Sequence, residues 1–181
     1  MLNYLVKRIS LTVIVMFTGL LMTDVHAESR SSQEYKVKSA FIYNFTKFIE
    51  WPAESFTDDT TINFCIIGDN PFGDDIQTIK GKTVKERELT VRQIKSIEDT
   101  GECNILFVSS SEKKNVSAIL EQIKEKHILS IADMDGFARR GGIINFIMMN
   151  NKIHFEINVK ASKLAGIQIS SKLLKLAQII E

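Results

Sequence analysis

Apolar and polar positions repeat along this chain with two periods, and the switches between them outline its elements. From Tyr35 to Glu50, the residues Val37, Phe41, Phe45, Phe48 and Ile49 recur at three- and four-residue steps, with Ala40 and Ile42 beside them. That spacing lays an aromatic-rich stripe along one side of a helix. Trp51-Pro52 should end it, because the residue before a proline is pushed out of the helical region. Residues 28–33, small and polar, read as an irregular lead-in.

The period then shortens. Ile62 to Ile67 is an apolar run closed by Gly68-Asp69 and reads as a buried strand. A short helix fits residues 72–79 after the Asn70-Pro71 turn, and Gly81 breaks it. Leu89 to Ile94 alternates as a half-exposed strand would. Ile105 to Val108 is a second buried strand. Ser109-Ser110-Ser111-Glu112 follows, and a serine there can cap a helix running to about Lys126 with Val116, Ile119, Leu120 and Ile123 on one face. Ile128 to Ala132 is a further strand. Ile143–Met149 and Lys152–Ile157 flank Asn150-Asn151, the signature of a two-residue β-hairpin. Asn158 can cap a helix over residues 159–165, which Gly166 stops. Ser170 or Ser171 can cap a final helix whose core face is Leu173, Leu176, Ala177 and Ile180, leaving Leu174 and Ile179 off that face and able to meet another chain.

Strands alternating with helices predict an α/β fold: a single-domain, mixed, largely parallel sheet flanked by helices, with a C-terminal β-hairpin and final helix. Such a sheet can set the strand of Cys65 beside the strand that follows Cys103.

The N-terminus changes the picture of where this domain works. Lys7 and Arg8 precede an almost wholly apolar stretch from Ile9 to Met22, and Val25-His26-Ala27 places small residues at the −3 and −1 positions of a cleavage site. This is the pattern of a secretory signal over residues 1–27, cut after Ala27, with a folded domain over residues 28–181. The apolar stretch falls short of the ~20 residues that span a bilayer. Cleavage would take Lys7, Arg8 and Asp24, leaving a formally neutral chain. No polybasic block is present, which argues against a nucleic-acid partner. Two cysteines in an oxidising compartment, Cys65 and Cys103, read as a disulfide, with two buried thiols as the alternative. Closing the 65–103 loop is worth roughly 4 kcal/mol on the chain-entropy model.

Chemistry is sparse. His127 sits at a helix end and His154 on the hairpin, neither at metal-ligand spacing, so no metal and no cofactor is expected. Ser109–Ser111 could bind an anion through free backbone N–H groups or simply cap the helix. Asp74, Asp75, Asp133 and Asp135 suit turns. Asn44, near the aromatic stripe, would need a ligand or neighbouring backbone as partner if buried; Lys47 reads as a solvated charge. Arg139 and Arg140, beside a Gly-Gly turn, are either solvated or face an acidic partner.

Several stretches together carry a resemblance. AFIYNFTKFIEWP at 40–52, CIIGDNPFG at 65–73, CNILFVSSSE at 103–112, RRGGIINFIMMNNKIHFEIN at 139–158 and GIQISSKLLKLAQII at 166–180 resemble, in order and spacing, the YfiR family of exported proteins. The resemblance implies a periplasmic, non-enzymatic, dimer-forming regulator that binds the sensor portion of a membrane-bound diguanylate cyclase and holds it inactive, lowering cyclic-di-GMP. It implies a pairing of Cys65 with Cys103; the second bridge found in members with extra cysteines has no counterpart here. Other members accompany different membrane receptors, so the partner does not follow from the fold. Two further readings are a small-molecule-binding module serving a transporter or sensor kinase, and a hydrolase built on Ser109–Ser111 at a dimer interface.

Overall fold

The computed structural model describes residues 25–56 and 60–181, with side chains from residue 31 onward. The Lys7–Met22 portion of the signal pattern lies outside the described residues. The chain divides into two units, Met1–Glu34 and Tyr35–Glu181, and the sheet belongs to the second.

Helix α1 spans Val25–Thr46. It is followed by β1 (Ile49–Glu50), β2 (Thr61–Ile67), β3 (Thr83–Val84), β4 (Arg87–Ile94), β5 (Ile105–Val108), α2 (Val116–Ile123), β6 (Leu129–Ala132), β7 (Ile144–Met149), β8 (Lys152–Asn158), α3 (Val159–Leu164), β9 (Gln168–Ile169), α4 (Ser171–Leu174) and β10 (Gln178–Ile180). The main sheet has eight strands in the order β10-β8-β7-β6-β5-β2-β4-β3. Its pairings are parallel except within the hairpins β7–β8 and β3–β4. The expected mixed, mostly parallel α/β sheet is therefore present.

The middle strands are apolar at nearly every position because both faces are covered. Phe64 and Ile66 of β2, Ile105 and Phe107 of β5, and Leu129 and Ile131 of β6 enter one core, which also takes Ile42 and Phe45 of α1. The alternate residues Cys65, Ile67, Leu106, Val108 and Ala132 enter the other, with Val116, Ile119, Leu120 and Ile123 of α2. The aromatic stripe of α1 is seated on the hairpin: the Phe45 ring lies 4.8 Å from Phe155 and 5.7 Å from Phe146. Each such buried ring contributes about 1.5–3 kcal/mol over its exposed state. β2 and β5 are neighbours, and Cys65 is joined to Cys103 in a disulfide across them.

Three local expectations are corrected. Residues 28–33 are helical, since no glycine or proline interrupts 25–46 and a helix once nucleated extends easily through Glu, Ser, Arg and Gln. The helix stops at Thr46, not at Trp51; the Thr46 hydroxyl bonds back to the Tyr43 carbonyl, and Ile49-Glu50 leaves as a strand paired with Gln168-Ile169. The final helix is only one turn. Beyond it Gln178–Ile180 lies parallel to Glu156–Asn158, so the open edge of β8 wins three residues from a helical pattern by giving its backbone groups partners. Leu176, expected in the core, is 71% exposed, whereas Leu173 is buried.

Candidate binding face

Most polar groups singled out in the sequence are occupied by structural work. The Ser109 hydroxyl accepts from the Ser111 N–H, and the Ser111 hydroxyl accepts from the Asp69 N–H. These serines cap a short turn and tie the loops after β2 and β5 together. Asn44 is exposed rather than buried, and its Oδ1 accepts from Lys47 Nζ at 3.0 Å. His127 makes a 2.8 Å hydrogen bond from Nδ1 to the Ala165 carbonyl, and His154 is exposed. Asp133 accepts from Lys38 Nζ at 2.8 Å and from the Tyr35 hydroxyl at 2.5 Å, a nearly buried ion pair that pins α1 to the end of β6. Asp74 and Asp75 open a 3-10 turn, and Asp135 is exposed. Among the described residues no group of three His, Cys, Asp or Glu side chains could hold a metal.

What remains open is a face built around α3. A cleft of about 520 Å³ runs between α2 and α3. Leu120 and Ile123 of α2, Ile128, Ile143 and Leu164 give it apolar walls, and Ser130 and Asn158 line its polar part. Arg139, Arg140 and Lys160 stand in its lining as well. A second groove of similar size adjoins it, sharing Lys160, Leu164 and Glu181 and adding Val159, Lys163, Ile179 and Ile180. Across the exposed rim, Glu121 raises the Lys124 ammonium above its ordinary value, by hydrogen bonding first and by charge second.

The Arg-Arg-Gly-Gly motif acquires a physical reason here. Ala138–Arg140 forms a 3-10 turn closed by Gly141 at φ 104°, where a side chain would be strained. A Cβ on the next residue, Gly142, would collide with the Phe137 ring. The turn is held from the other side by Asn158, whose Nδ2 donates to the Ala138 carbonyl at 2.7 Å while its Oδ1 caps α3 by accepting from the Ala161 N–H at 2.8 Å. One buried amide thus fixes both the arginine turn and the start of the helix that forms the opposite wall.

Of the residues expected to face a partner, Arg139, Arg140 and Ile179 lie along these two adjoining clefts. Leu174 does not; it is half-buried and packs against the core. The sequence pattern does not mark Lys160 or Leu164. With Ala161 and Ala165 buried at an i, i+4 step, Leu164 falls off the core face of α3, a burial that the fold sets and the local sequence does not.

One solved structure agrees with this architecture. No curated protein matches the chain in sequence. A solved structure described as a conserved domain protein from Vibrio cholerae O1 biovar El Tor has a similar fold, at 8% identity and a TM-score of 0.52, over 81% of this chain and 60% of that one. The chain thus spans about three-fifths of that protein's length. A structure of an ABC domain in complex with L-Trp from Streptococcus pneumonia reaches a TM-score of 0.48 at 10% identity, over 70% of this chain and 57% of that one. The pattern of one family matches residues 35–178, from the aromatic half of α1 to the first residue of β10, and with it the Gly-Gly turn, the hairpin and the Asn cap; the chain belongs to the YfiR/HmsC-like family.

Proposed function

We propose that this protein is a periplasmic regulator that represses a membrane-bound diguanylate cyclase by binding that enzyme's periplasmic sensor domain. Family membership over residues 35–178 carries the reading. The export pattern with cleavage after Ala27 supports the compartment, and the Cys65–Cys103 disulfide suits an oxidising one. The protein acts by association rather than catalysis, and as a homodimer. The partner-facing surface in this reading is the one around α3, where Arg139, Arg140 and Ile179 combine cations with exposed apolar area. Leu174 contributes at most from its half-exposed side.

Deleting the gene should raise cellular cyclic-di-GMP, read by mass spectrometry of nucleotide extracts, and re-expression should lower it again. An unchanged level in cells known to make the protein would overturn the proposal. Co-purification with the isolated sensor domain of the cyclase provides the direct check.

A further inference from the structure

We infer that the cleft between α2 and α3 is a binding site for a small amphiphilic anion: a carboxylate or phosphate head on a short apolar body. This concerns a ligand rather than the protein partner, and it stands independently of the regulatory reading.

The cleft has the proportions and the lining of a small-molecule site. Its volume of about 520 Å³ falls within the range that takes compact ligands. The walls are aliphatic, and Leu164 stands 55% exposed where it borders the opening, an arrangement that water disfavours and an apolar ligand would relieve. The lining carries four cations, Lys124, Arg139, Arg140 and Lys160, against two carboxylates, Glu121 and Glu181. Arg139 and Arg140 are consecutive, Lys160 joins them, and among the described residues no carboxylate stands within ion-pair distance of the three. The contact recorded for the Arg140 guanidinium is with Met134 Sδ at 3.5 Å, a weak acceptor that leaves its strong donors available. Two adjacent guanidinium forks are suited to a planar or tetrahedral anion held by paired hydrogen bonds. Lys124, by contrast, is already matched by Glu121.

The site is also held in shape before any ligand arrives. Asn158 ties the arginine turn to the start of α3, so these two parts of the lining are held together. Ser130 is 2% exposed; its hydroxyl accepts from the Ile143 N–H, and its own hydrogen has no acceptor among the described residues. That hydrogen is a donor for a polar atom of the bound molecule.

Octanoate and octyl phosphate are the probes, with octanol as the neutral control, titrated into the disulfide-bonded protein and followed by amide chemical shifts and calorimetry. Both anions should saturate, with dissociation constants of about 1 mM for molecules of this size, and should perturb amides of α2, α3 and the 138–142 turn. Whichever anion binds more tightly identifies the head group. Replacing both arginines (R139A/R140A) should weaken anion binding by about tenfold or more while leaving the octanol response unchanged. L164D, which sets a carboxylate at an exposed position on the wall, should weaken the anions further than octanol. Failure to saturate, perturbations scattered away from the cleft, equal binding of octanoate and octanol, or an undiminished affinity in R139A/R140A would each overturn the inference. None of these readings involves the cyclase, so a failure here is separable from a failure of the repressor proposal.

Discussion

The middle of the sheet and its C-terminal border use the same aliphatic residues and leave them in opposite conditions. In β2, β5 and β6 successive side chains enter two different cores, and every residue of β5 and β6 is buried. Around α3, α4 and β10, Leu164, Leu176 and Ile179 stand 55%, 71% and 42% exposed. The middle strands have neighbours on both sides and cover on both faces. The C-terminal segments have fewer neighbours, and of their exposed apolar groups Leu164 lines a cleft with Arg139, Arg140 and Lys160, and Ile179 a groove with Lys160 and Lys163. Stability therefore resides in the middle, and the surface free to recognise something else resides at the border.

The strongest way to break that contrast is to empty a position in the middle. Phe107 is fully buried and meets the Phe72 ring at 4.7 Å. Phe107→Ala should destabilise the fold by about 3–5 kcal/mol in urea titrations. A loss below about 1 kcal/mol would mean that the middle is less tightly sealed than its burial indicates. The disulfide comes next. C65S/C103S, or reduction of the wild-type protein, should remove roughly 4 kcal/mol and lower Tm accordingly, leaving the border surfaces intact. A Tm insensitive to reductant would show that β2 and β5 hold without their covalent link.

The smallest expected effect on stability sharpens the other half of the comparison. Arg139 and Arg140 are exposed and make no ion pair among the described residues. R139E/R140E should change stability by no more than about 0.5 kcal/mol, yet raise cyclic-di-GMP toward the level of the deletion strain. Retained repression by a folded R139E/R140E protein would place the partner elsewhere.

Elements whose signal is local were legible. The buried strands appear as apolar runs, the β7–β8 hairpin is announced by Asn150-Asn151 at φ 51° and 58°, and Asn158 caps α3 as its position suggests. Helix ends were less so. Ile49 and Glu50 continue the helical spacing of α1, but Gln168 and Ile169 offer them backbone partners. Gln178–Ile180 likewise leave a helical pattern for the edge of β8. β3 escaped notice because its turn, Lys85-Glu86 at φ 49° and 70°, carries none of the usual Gly or Asn. The candidate face was half legible: Arg139, Arg140 and Ile179 drew attention, but nothing local said that Leu164 and Lys160 would join them.

By itself, then, the sequence determined the two-core α/β plan, because strands buried on both faces must be apolar throughout and helices buried on one face must show a stripe. It also determined the hairpin, the caps and the family. Only the tertiary structure decided that the last residues form a strand, that Leu176 faces water, and that α2, α3 and the arginine turn enclose a cleft. Each of these depends on a partner distant in the chain, and a free backbone edge or a gap between two packed helices has no residue pattern of its own until the fold is assembled.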